Sequence, residues 1–439
     1  MPTVIMKHIL PCGRARGSVG AEHGDRNRRN GSAQVKSQEQ GCSYGGPCGA
    51  VMVNLSAVIR VSLLSVAMLP HSALLLLLCV TCLLTSCPAL PFEQKGFWDF
   101  GMDSDIGDLM KMMRDEGEGS AMEELPHPKH EPTCPFGCQC HLRVVQCSDL
   151  RLTAVPYDIP TDTRLLDLQN NYITELREND FKGLSNLYAL VLRNNQISRV
   201  HPRAFAPLQR MQKLYFSHNH LTSVPKNLPT SLEELRIHDN RIRKVPEGAF
   251  ANLRNMNCIE MGGNPLQNSG FEPGAFKGLR LSYLRISEAK LTGVPTDLPE
   301  SLHELHLDHN QIQAIELEDL SRYTNLYRLG LGYNHVRNIE AGSLHYLPYL
   351  RELHLDNNRL NGVPAGLPEM KYLQVVYLHA NNISRIDIND FCPLGFGMKR
   401  TFYNGISLFS NPINYWEVQP ATFRCVSDSL AIQFGNNRK

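Results

Sequence analysis

The cysteines are the residues of this chain whose types and spacing most directly imply chemistry. Four lie between Cys134 and Cys147, separated by three, one and six residues, and Cys392 and Cys425 stand near the end. Zinc is a poor match for the first group, because its ligands would be crowded into fourteen positions. In an oxidising compartment the arrangement predicts two disulfide-bonded caps, although the sequence alone leaves all three pairings of the first four cysteines open.

The histidines do not form a catalytic or metal-binding pattern. His303, His306 and His309 are three residues apart, and on a strand such residues point to opposite faces. No nucleophile elbow, phosphate-binding loop or dinucleotide-binding glycine motif occurs in the chain. We therefore expect no metal, no cofactor and no enzymatic activity.

An apolar run before residue 90 has the composition of a secretory leader. Residues 73–84 are apolar and uncharged, and small residues up to Ala89 suit signal-peptide cleavage. We expect an upstream extension without a folded role at 1–67 and a signal peptide at 68–89. The alternative is an uncleaved anchor within 51–90. No later apolar run reaches membrane length, so the expected product is secreted and has no membrane span. A net charge of +1 gives no indication of nucleic-acid binding.

A repeated pattern occupies most of the remaining chain. L-x-x-L-x-L-x-x-N-x-L recurs from Arg164, at intervals of 21 to 25 residues between its asparagines, up to Asn381. The last interval extends to 30 residues, and Ala289 replaces one asparagine. Such a period is the signature of leucine-rich repeats. It predicts an α/β-type solenoid with a curved parallel sheet on the concave face, little regular helix on the convex face and disulfide caps at both ends.

The pattern also assigns a task to each repeat position. Phenylalanines such as Phe181 and Phe205 recur at matching places and are expected to form a spine beneath the convex surface. Residues that flank the inward leucines, including Arg236 and His306, are expected to point outward from the concave sheet. Mixed charges with aromatic residues on a curved surface favour protein recognition. The sequon Asn382-Ile383-Ser384 predicts an N-glycan.

The chain resembles the class I small leucine-rich proteoglycans. The resemblance is carried by C-P-F-G-C-Q-C-H-L-R-V-V-Q-C from Cys134 to Cys147, by triplets of one short and two long repeats, and by the extended penultimate interval. It implies a propeptide at 90–114, cleaved between Arg114 and Asp115, an acidic arm at 115–133, a cap at 134–150, repeats at 151–390 and an ear repeat with a second cap at 391–439. The implied disulfides are Cys134 to Cys140, Cys138 to Cys147, and Cys392 to Cys425.

The resemblance implies a glycosaminoglycan chain on the acidic arm. In the family that chain is attached to a serine followed by glycine, and no serine between 90 and 133 has this neighbour. Ser120, which follows D-E-G-E-G, is the better candidate for attachment. The alternative is an arm without a glycosaminoglycan.

The resemblance further implies an extracellular matrix protein that binds collagen fibrils and growth factors of the transforming growth factor beta family. The stretch 282–289 is similar to a collagen-binding strand of another family member, which makes Arg285 and Glu288 the candidate contacts. An alternative function is that of a soluble ligand for Toll-like receptors of innate immunity. A homodimer through the concave faces is also consistent with the family. A cytosolic inhibitor is disfavoured, because the leader and the paired cysteines belong to secreted proteins.

Overall fold

The computed structural model describes residues 134–394, 403–426 and 428–435. The predicted upstream extension, signal peptide, propeptide junction at Arg114 and Asp115, acidic arm and candidate attachment site at Ser120 lie outside these residues. Within the described part, no helix is both long and apolar enough to cross a membrane.

Short strands of two or three residues make up the regular structure of the described chain. They are β1 (Gln139–His141), β2 (Val144–Gln146), β3 (Leu165–Asp167), β4 (Glu175–Leu176), β5 (Ala189–Val191), β6 (Arg199–Val200), β7 (Lys213–Tyr215), β8 (Glu234–Arg236), β9 (Cys258–Glu260), β10 (Tyr283–Arg285), β11 (Glu304–His306), β12 (Ala314–Ile315), β13 (Arg328–Gly330), β14 (Asn338–Ile339), β15 (Glu352–His354), β16 (Val375–Tyr377), β17 (Gly405–Ser407) and β18 (Ile432–Gln433).

Fourteen of these strands form one sheet, in the order β1-β2-β3-β5-β7-β8-β9-β10-β11-β13-β15-β16-β17-β18. β1 pairs with β2 in the antiparallel direction, and every later pair is parallel. The register places the central residues of neighbouring strands opposite one another, as in Leu284 beside Leu305. The predicted solenoid with a parallel sheet is confirmed.

The opposite side of each turn contains little helix, as predicted. One α-helix, α1 (Leu317–Leu320), spans four residues. Two further two-stranded sheets pair β4 with β6 and β12 with β14. The 3-10 helices are Asn268–Gly270, Ser343–Tyr346, Leu367–Glu369, Tyr415–Glu417, Pro420–Phe423 and Ser429–Ala431. Each element is short because a turn of about 24 residues must also contain the strand and two reversals of the chain.

The repeated asparagines hydrogen-bond each turn to the one before it. Asn334 is buried, and its Nδ2 donates to the carbonyls of Leu307 at 2.9 Å and Leu331 at 3.1 Å. Its Oδ1 accepts from the backbone N–H of Ile312 at 3.1 Å. Each amide thus satisfies backbone groups that the end of the strand leaves without a ladder partner. The same arrangement begins at Asn171 and continues to Asn411.

The repeat that lacks an asparagine is supported by the next one. Ala289 cannot donate a side-chain hydrogen bond, but its own backbone N–H donates to Oδ1 of Asn310 at 3.1 Å. The N–H of Leu291 donates to the same oxygen at 3.2 Å. One carbonyl oxygen therefore accepts two hydrogen bonds, which its two lone pairs allow.

The residue before each repeated asparagine, and the residue before Ala289, adopts left-handed backbone geometry. We call this series the rim row, because it follows the concave strands at the edge of the sheet. Its members all have φ between 52° and 64°: Asn170, Asn194, His218, Asp239, Gly263, Glu288, His309, Tyr333, Asn357, Ala380 and Ser410. Asparagine and glycine tolerate this conformation best, so the backbone limits which residues suit the rim row.

The predicted phenylalanine spine is present beneath the convex surface. Phe181 and Phe205 stack with ring centroids 6.2 Å apart, and Phe250 and Phe276 with centroids 5.6 Å apart. All four rings are buried in one continuous core that runs the length of the described solenoid. On the convex side, where no continuous sheet joins the turns, the spine packs successive turns against each other.

Disulfide bonds close both ends of the solenoid. Cys134 is bonded to Cys140 and Cys138 to Cys147 in the first cap. The other end has the bond between Cys392 and Cys425, which are 33 residues apart. Beside it, the Arg424 guanidinium donates to the carbonyls of Ile388 at 2.7 Å and Cys392 at 2.9 Å. The structure therefore has the disulfide caps that the sequence predicts.

Asn334→Ala should destabilise the protein by roughly 3 kcal/mol or more, because the buried N–H of Ile312 and two carbonyls lose their partner at about 1–3 kcal/mol for each unsatisfied group. Urea unfolding followed by circular dichroism measures the change. Asn325→Ala is the control, since that exposed amide makes only a 3.4 Å contact with the carbonyl of Glu300. Equal midpoints for the two variants would show that the ladder amides are dispensable.

Candidate binding face

The concave side of the sheet is built from three rows of side chains. In the three-residue parallel strands the central residue points into the core, and its two neighbours point to the concave face. The first row therefore contains Glu234 and Glu304, and the second row contains Arg236 and His306. A third row follows two positions later, where the pattern again points outward. His238, Gly262, Ser287, Asp308, Gly332, Asp356 and His379 belong to this third row.

The rows change character along the solenoid. Near the first cap, Leu165, Ala189, Val191 and Tyr215 form an apolar cluster separate from the main core. From β7 onward the rows are mostly charged or polar. The concave side is therefore lined by a buried apolar cluster at one end and by charged or polar rows along the remainder.

Ion pairs join the charged residues of β7 and β8. Lys213 Nζ lies 3.0 Å from one oxygen of Glu234, and Arg236 Nε lies 2.8 Å from the other. The Arg236 guanidinium also lies 4.8 Å from the centre of the Tyr215 ring, within range of a cation–π interaction. Burial would raise the pKa of Glu234, but Arg236 and Lys213 outweigh it and lower that pKa. Glu234 therefore remains charged beneath its two partners.

Glu260 occupies the centre of the second row between two arginines. The register places it beside Arg236 on one strand and Arg285 on the other. Its side chain is 1% exposed, and burial raises its pKa despite the two nearby guanidinium groups. Burial opposes the charge of Arg285 too, but the attraction of neighbouring groups, Glu260 among them, raises the pKa of its guanidinium. Charges of alternating sign thus stand in one line across three strands.

A second network surrounds Arg328. Its guanidinium lies 2.7 Å from Glu352 and 3.6 Å from Glu304, and the Tyr327 hydroxyl donates to Glu304 at 2.8 Å. Burial would raise the pKa of Glu352, but hydrogen bonds with His354 and Arg328 outweigh it and lower the pKa to about 2. Arg328 therefore joins carboxylates on both sides of its own strand.

His306 links the rows on its own turn. Its Nε2 lies 3.3 Å from Glu304, and its Nδ1 lies 3.7 Å from Asp308. Burial would lower the pKa of His306, but hydrogen bonding to Asp308 and Glu304 outweighs it and raises that pKa. Burial would also raise the pKa of Asp308, yet its interactions with His306 lower it to about 2. The two carboxylates thus favour the charged form of the imidazole.

A depression lies where two glycines interrupt the rows. A side chain at Gly263 would stand 2.3 Å from Oδ1 of Asp239, and one at Gly262 would stand 2.8 Å from the carbonyl of Ser287. The absence of both side chains lets these neighbours approach the backbone closely, and a small depression lies beside them. It is lined by His238, Asp239, Glu260, Gly262, Gly263, Arg285, Ser287 and Glu288.

The structure brings the predicted pair Arg285 and Glu288 to this depression. Arg285 ends β10, and Glu288 is the rim-row residue of the same turn, with φ of 55°. Several of these outward-pointing row residues are nevertheless buried by their neighbours. Arg236 is 4% exposed and His306 is 5% exposed. Their long side chains pack sideways into neighbouring rows, because parallel strands are only about 4.8 Å apart.

Other sequence expectations concern places away from the depression. Asn382 and Ser384 are exposed beyond β16, and Asn382 Nδ2 donates to Oδ1 of Asn361 at 2.8 Å. His303, His306 and His309 do not converge on one site among the described residues. A different group does converge there, formed by His218, His238 and Asp239.

Comparisons with known proteins agree with this architecture. The family model described as leucine rich repeat matches residues 162–221, 230–291 and 300–360, and the model described as leucine rich repeat N-terminal domain matches 133–160. The fold and its concave face thus define a leucine-rich repeat protein with a capped amino-terminal end.

The curated relatives narrow this class. Biglycan of Canis lupus familiaris is 68% identical over 368 residues, which cover 82% of this chain and 98% of the relative. Biglycan of Homo sapiens is 68% identical over 363 residues, with 81% and 98% covered. Biglycan of Xenopus laevis is 66% identical over 372 residues, with 83% and 99% covered. The chain belongs to the biglycan family and is a leucine-rich proteoglycan core protein, which makes it a structural or binding protein and not an enzyme.

Arg328→Gln should destabilise the protein by roughly 2–4 kcal/mol at pH 7, because it leaves two largely buried carboxylates without their shared cation. The pKa of Glu352 is lowered from 4.5 to about 2, so its stabilising contribution is present above its ordinary pKa and is lost as the pH falls through about 2. The difference between variant and wild type should therefore shrink as the pH falls. Urea unfolding at several pH values between neutral and strongly acidic tests this.

The matched control is Arg322→Gln. Arg322 also contacts two carboxylates, Asp297 at 3.1 Å and Glu300 at 2.8 Å, but all three side chains are exposed. Exposed pairs contribute about 0–1 kcal/mol, so this variant should behave nearly as wild type. An equal loss in both variants would mean that the concave network is no stronger than a surface ion pair.

Proposed function

We propose that this protein is secreted into the extracellular matrix, where its concave face binds collagen fibrils. The observation that carries the proposal is the alternation of Arg236, Glu260 and Arg285 along the second row, beside a depression that Arg285 and Glu288 share. Biglycan relatives that align over nearly their whole length support the matrix assignment.

The chemistry of collagen suits such a face. A triple helix exposes the side chains of two residues in every three along a straight rod. Where these side chains are charged, they can pair with charges of opposite sign on the concave face. Fixed charges of both signs on that face therefore favour one position along the collagen rod. The ion pairs on β7 and β8 hold Glu234 and Arg236 in place before a partner arrives, which reduces the entropy lost on binding.

Growth factors of the transforming growth factor beta family are the second proposed class of partner. The charged rows from β7 onward hold fixed charges of both signs, which favour a protein partner with complementary charges. A homodimer through the concave faces would cover the same rows. Collagen binding and such a dimer are therefore proposed to compete.

Arg285→Gln and Glu288→Asn should each weaken binding to reconstituted collagen fibrils at least tenfold, an effect of about 1.4 kcal/mol. Glutamine keeps a polar side chain but loses the cation, and asparagine tolerates the left-handed backbone at position 288. Sedimentation of the secreted protein with fibrils at increasing concentration gives the dissociation constant.

Two further variants make this test specific. Arg322→Gln removes an exposed convex guanidinium and should leave fibril binding unchanged. Arg285→Lys keeps the positive charge beside Glu260. Its collagen binding and its thermal unfolding, compared with those of Arg285→Gln, separate a loss of collagen contact from a loss of stability. Wild-type affinity in both Arg285→Gln and Glu288→Asn would refute the proposed contact site.

We also propose that Asn382 carries an N-glycan. Asn382 and Ser384 are both exposed, so the sequon is accessible and a glycan there would shield this end of the solenoid from other molecules. Glycosidase treatment should reduce the intact mass of the wild-type protein secreted from animal cells. It should leave Asn382→Gln and Ser384→Ala unchanged.

The control for the glycan is Asn361→Gln. It removes the hydrogen bond between Asn361 and Asn382 without altering the sequon, so the mass loss should persist. A wild-type mass that does not respond to the glycosidase would contradict the assignment. Intact mass before and after chondroitinase tests in the same way whether Ser120 bears a glycosaminoglycan.

A further inference from the structure

Two histidines and an aspartate meet at the rim of the concave face, beside the depression. His218 and Asp239 are rim-row residues of successive turns, and His238 belongs to the third row. The Nδ1 of His238 lies 2.7 Å from Oδ2 of Asp239, and the Nδ1 of His218 lies 3.6 Å from the same oxygen. One ligand atom from each of the three residues lies within 4.8 Å of the other two.

The register of the sheet produces this meeting. β7 and β8 pair with Tyr215 opposite Arg236, so the residues three positions further on, His218 and Asp239, also become neighbours. Nothing in the local sequence reveals this, because His218 and His238 are 20 residues apart. Only the rim-row position places them side by side.

The spacing differs from that of an ordinary rim-row contact. At the equivalent position two turns earlier, Asn194 Nδ2 donates directly to Oδ1 of Asn170 at 2.8 Å. The 3.6 Å between His218 and Asp239 is longer than that hydrogen bond. The two imidazole rings are perpendicular, with centroids 5.3 Å apart, so their nitrogens approach the carboxylate from different directions.

These distances match the ligand shell of a small divalent cation. Zinc binds histidine nitrogen and carboxylate oxygen at about 2.0–2.2 Å in tetrahedral geometry, which places neighbouring ligand atoms roughly 3.3 Å apart. The observed 2.7 Å and 3.6 Å lie on either side of that value. Side-chain rotations that bring the three ligand atoms from within 4.8 Å of one another to this spacing would complete the ligand set.

We propose that His218, His238 and Asp239 form a zinc-binding site. Imidazole and carboxylate are ligands that zinc accepts readily, and three protein ligands leave the fourth tetrahedral position for water or for a donor group of a bound partner. Because His238 and Asp239 also line the depression with Arg285 and Glu288, the ion lies at the edge of the proposed collagen-binding surface. The zinc site does not depend on collagen binding.

The test is equilibrium dialysis of the secreted protein against zinc after chelator treatment. The double variant His218→Asn with His238→Ser should bind one zinc fewer than wild type. Its residual affinity at this site should fall roughly 100-fold or more, since even an outer-shell partner contributes about 10–100-fold. Asparagine is the natural rim-row residue at Asn170, Asn194 and Asn357, and serine occupies the third row at Ser287.

The matched control is the double variant His309→Asn with His379→Ser. It removes one rim-row and one third-row histidine that do not belong to a convergent group among the described residues. This control should bind as much zinc as wild type. Equal zinc content in wild type and in the His218 and His238 double variant would overturn the proposal, provided that its thermal midpoint matches that of the control.

If the His218 and His238 double variant does not fold, a measurement on the wild type alone tests the zinc site. Diethyl pyrocarbonate modifies accessible imidazoles, and the side chain of His218 is 34% exposed. Zinc should slow the modification of His218, mapped by peptide mass spectrometry, by at least tenfold, and should leave the exposed His309 unaffected. Equal labelling of His218 with and without zinc would refute the site.

Discussion

The asparagine side chain that follows most strands of the large sheet is the constraint on which the rest of the structure depends. A short strand followed by a sharp turn leaves buried backbone groups without partners, and an unsatisfied group of this kind costs about 1–3 kcal/mol. The Asn334 amide meets that requirement with bonds to two turns at once. Because the bonds join equivalent atoms in successive turns, they also fix the register of the sheet and the left-handed residue before each asparagine.

Because the register of the sheet is fixed, residues at the same position of successive repeats stand next to one another in rows. Residues that stand one turn apart in the chain become lateral contacts, as Arg328 and Glu352 do across β13 and β15. The same rule aligns Glu260 with an arginine on either side. The ligands of the proposed zinc site follow from it as well. Recognition on this face is therefore a property of the stacking, and no single repeat contains a complete site.

The sequence predicts the solenoid well because its dominant forces are periodic. Inward leucines, ladder asparagines and stacked phenylalanines such as Phe181 and Phe205 recur at fixed intervals, so their roles are visible without coordinates. The pairing of His218 with Asp239 is not visible in the same way. Both are rim-row residues of successive turns, but the repeat pattern does not specify how their side chains meet that of His238. The burial of Arg236 depends likewise on Tyr215 of the neighbouring strand and on Glu234 of its own strand.

The stacked arrangement has a consequence for how the molecule responds to damage. Each turn contacts only the turns on either side, so the cooperativity of unfolding is transmitted between nearest neighbours. An end turn lacks one neighbour and is the natural starting point for fraying. The bond between Cys392 and Cys425 restrains the last turns against fraying. The two disulfides of the first cap restrain the other end in the same way. The described solenoid thus gains resistance to unfolding from its two ends, where three disulfide bonds hold the outermost turns.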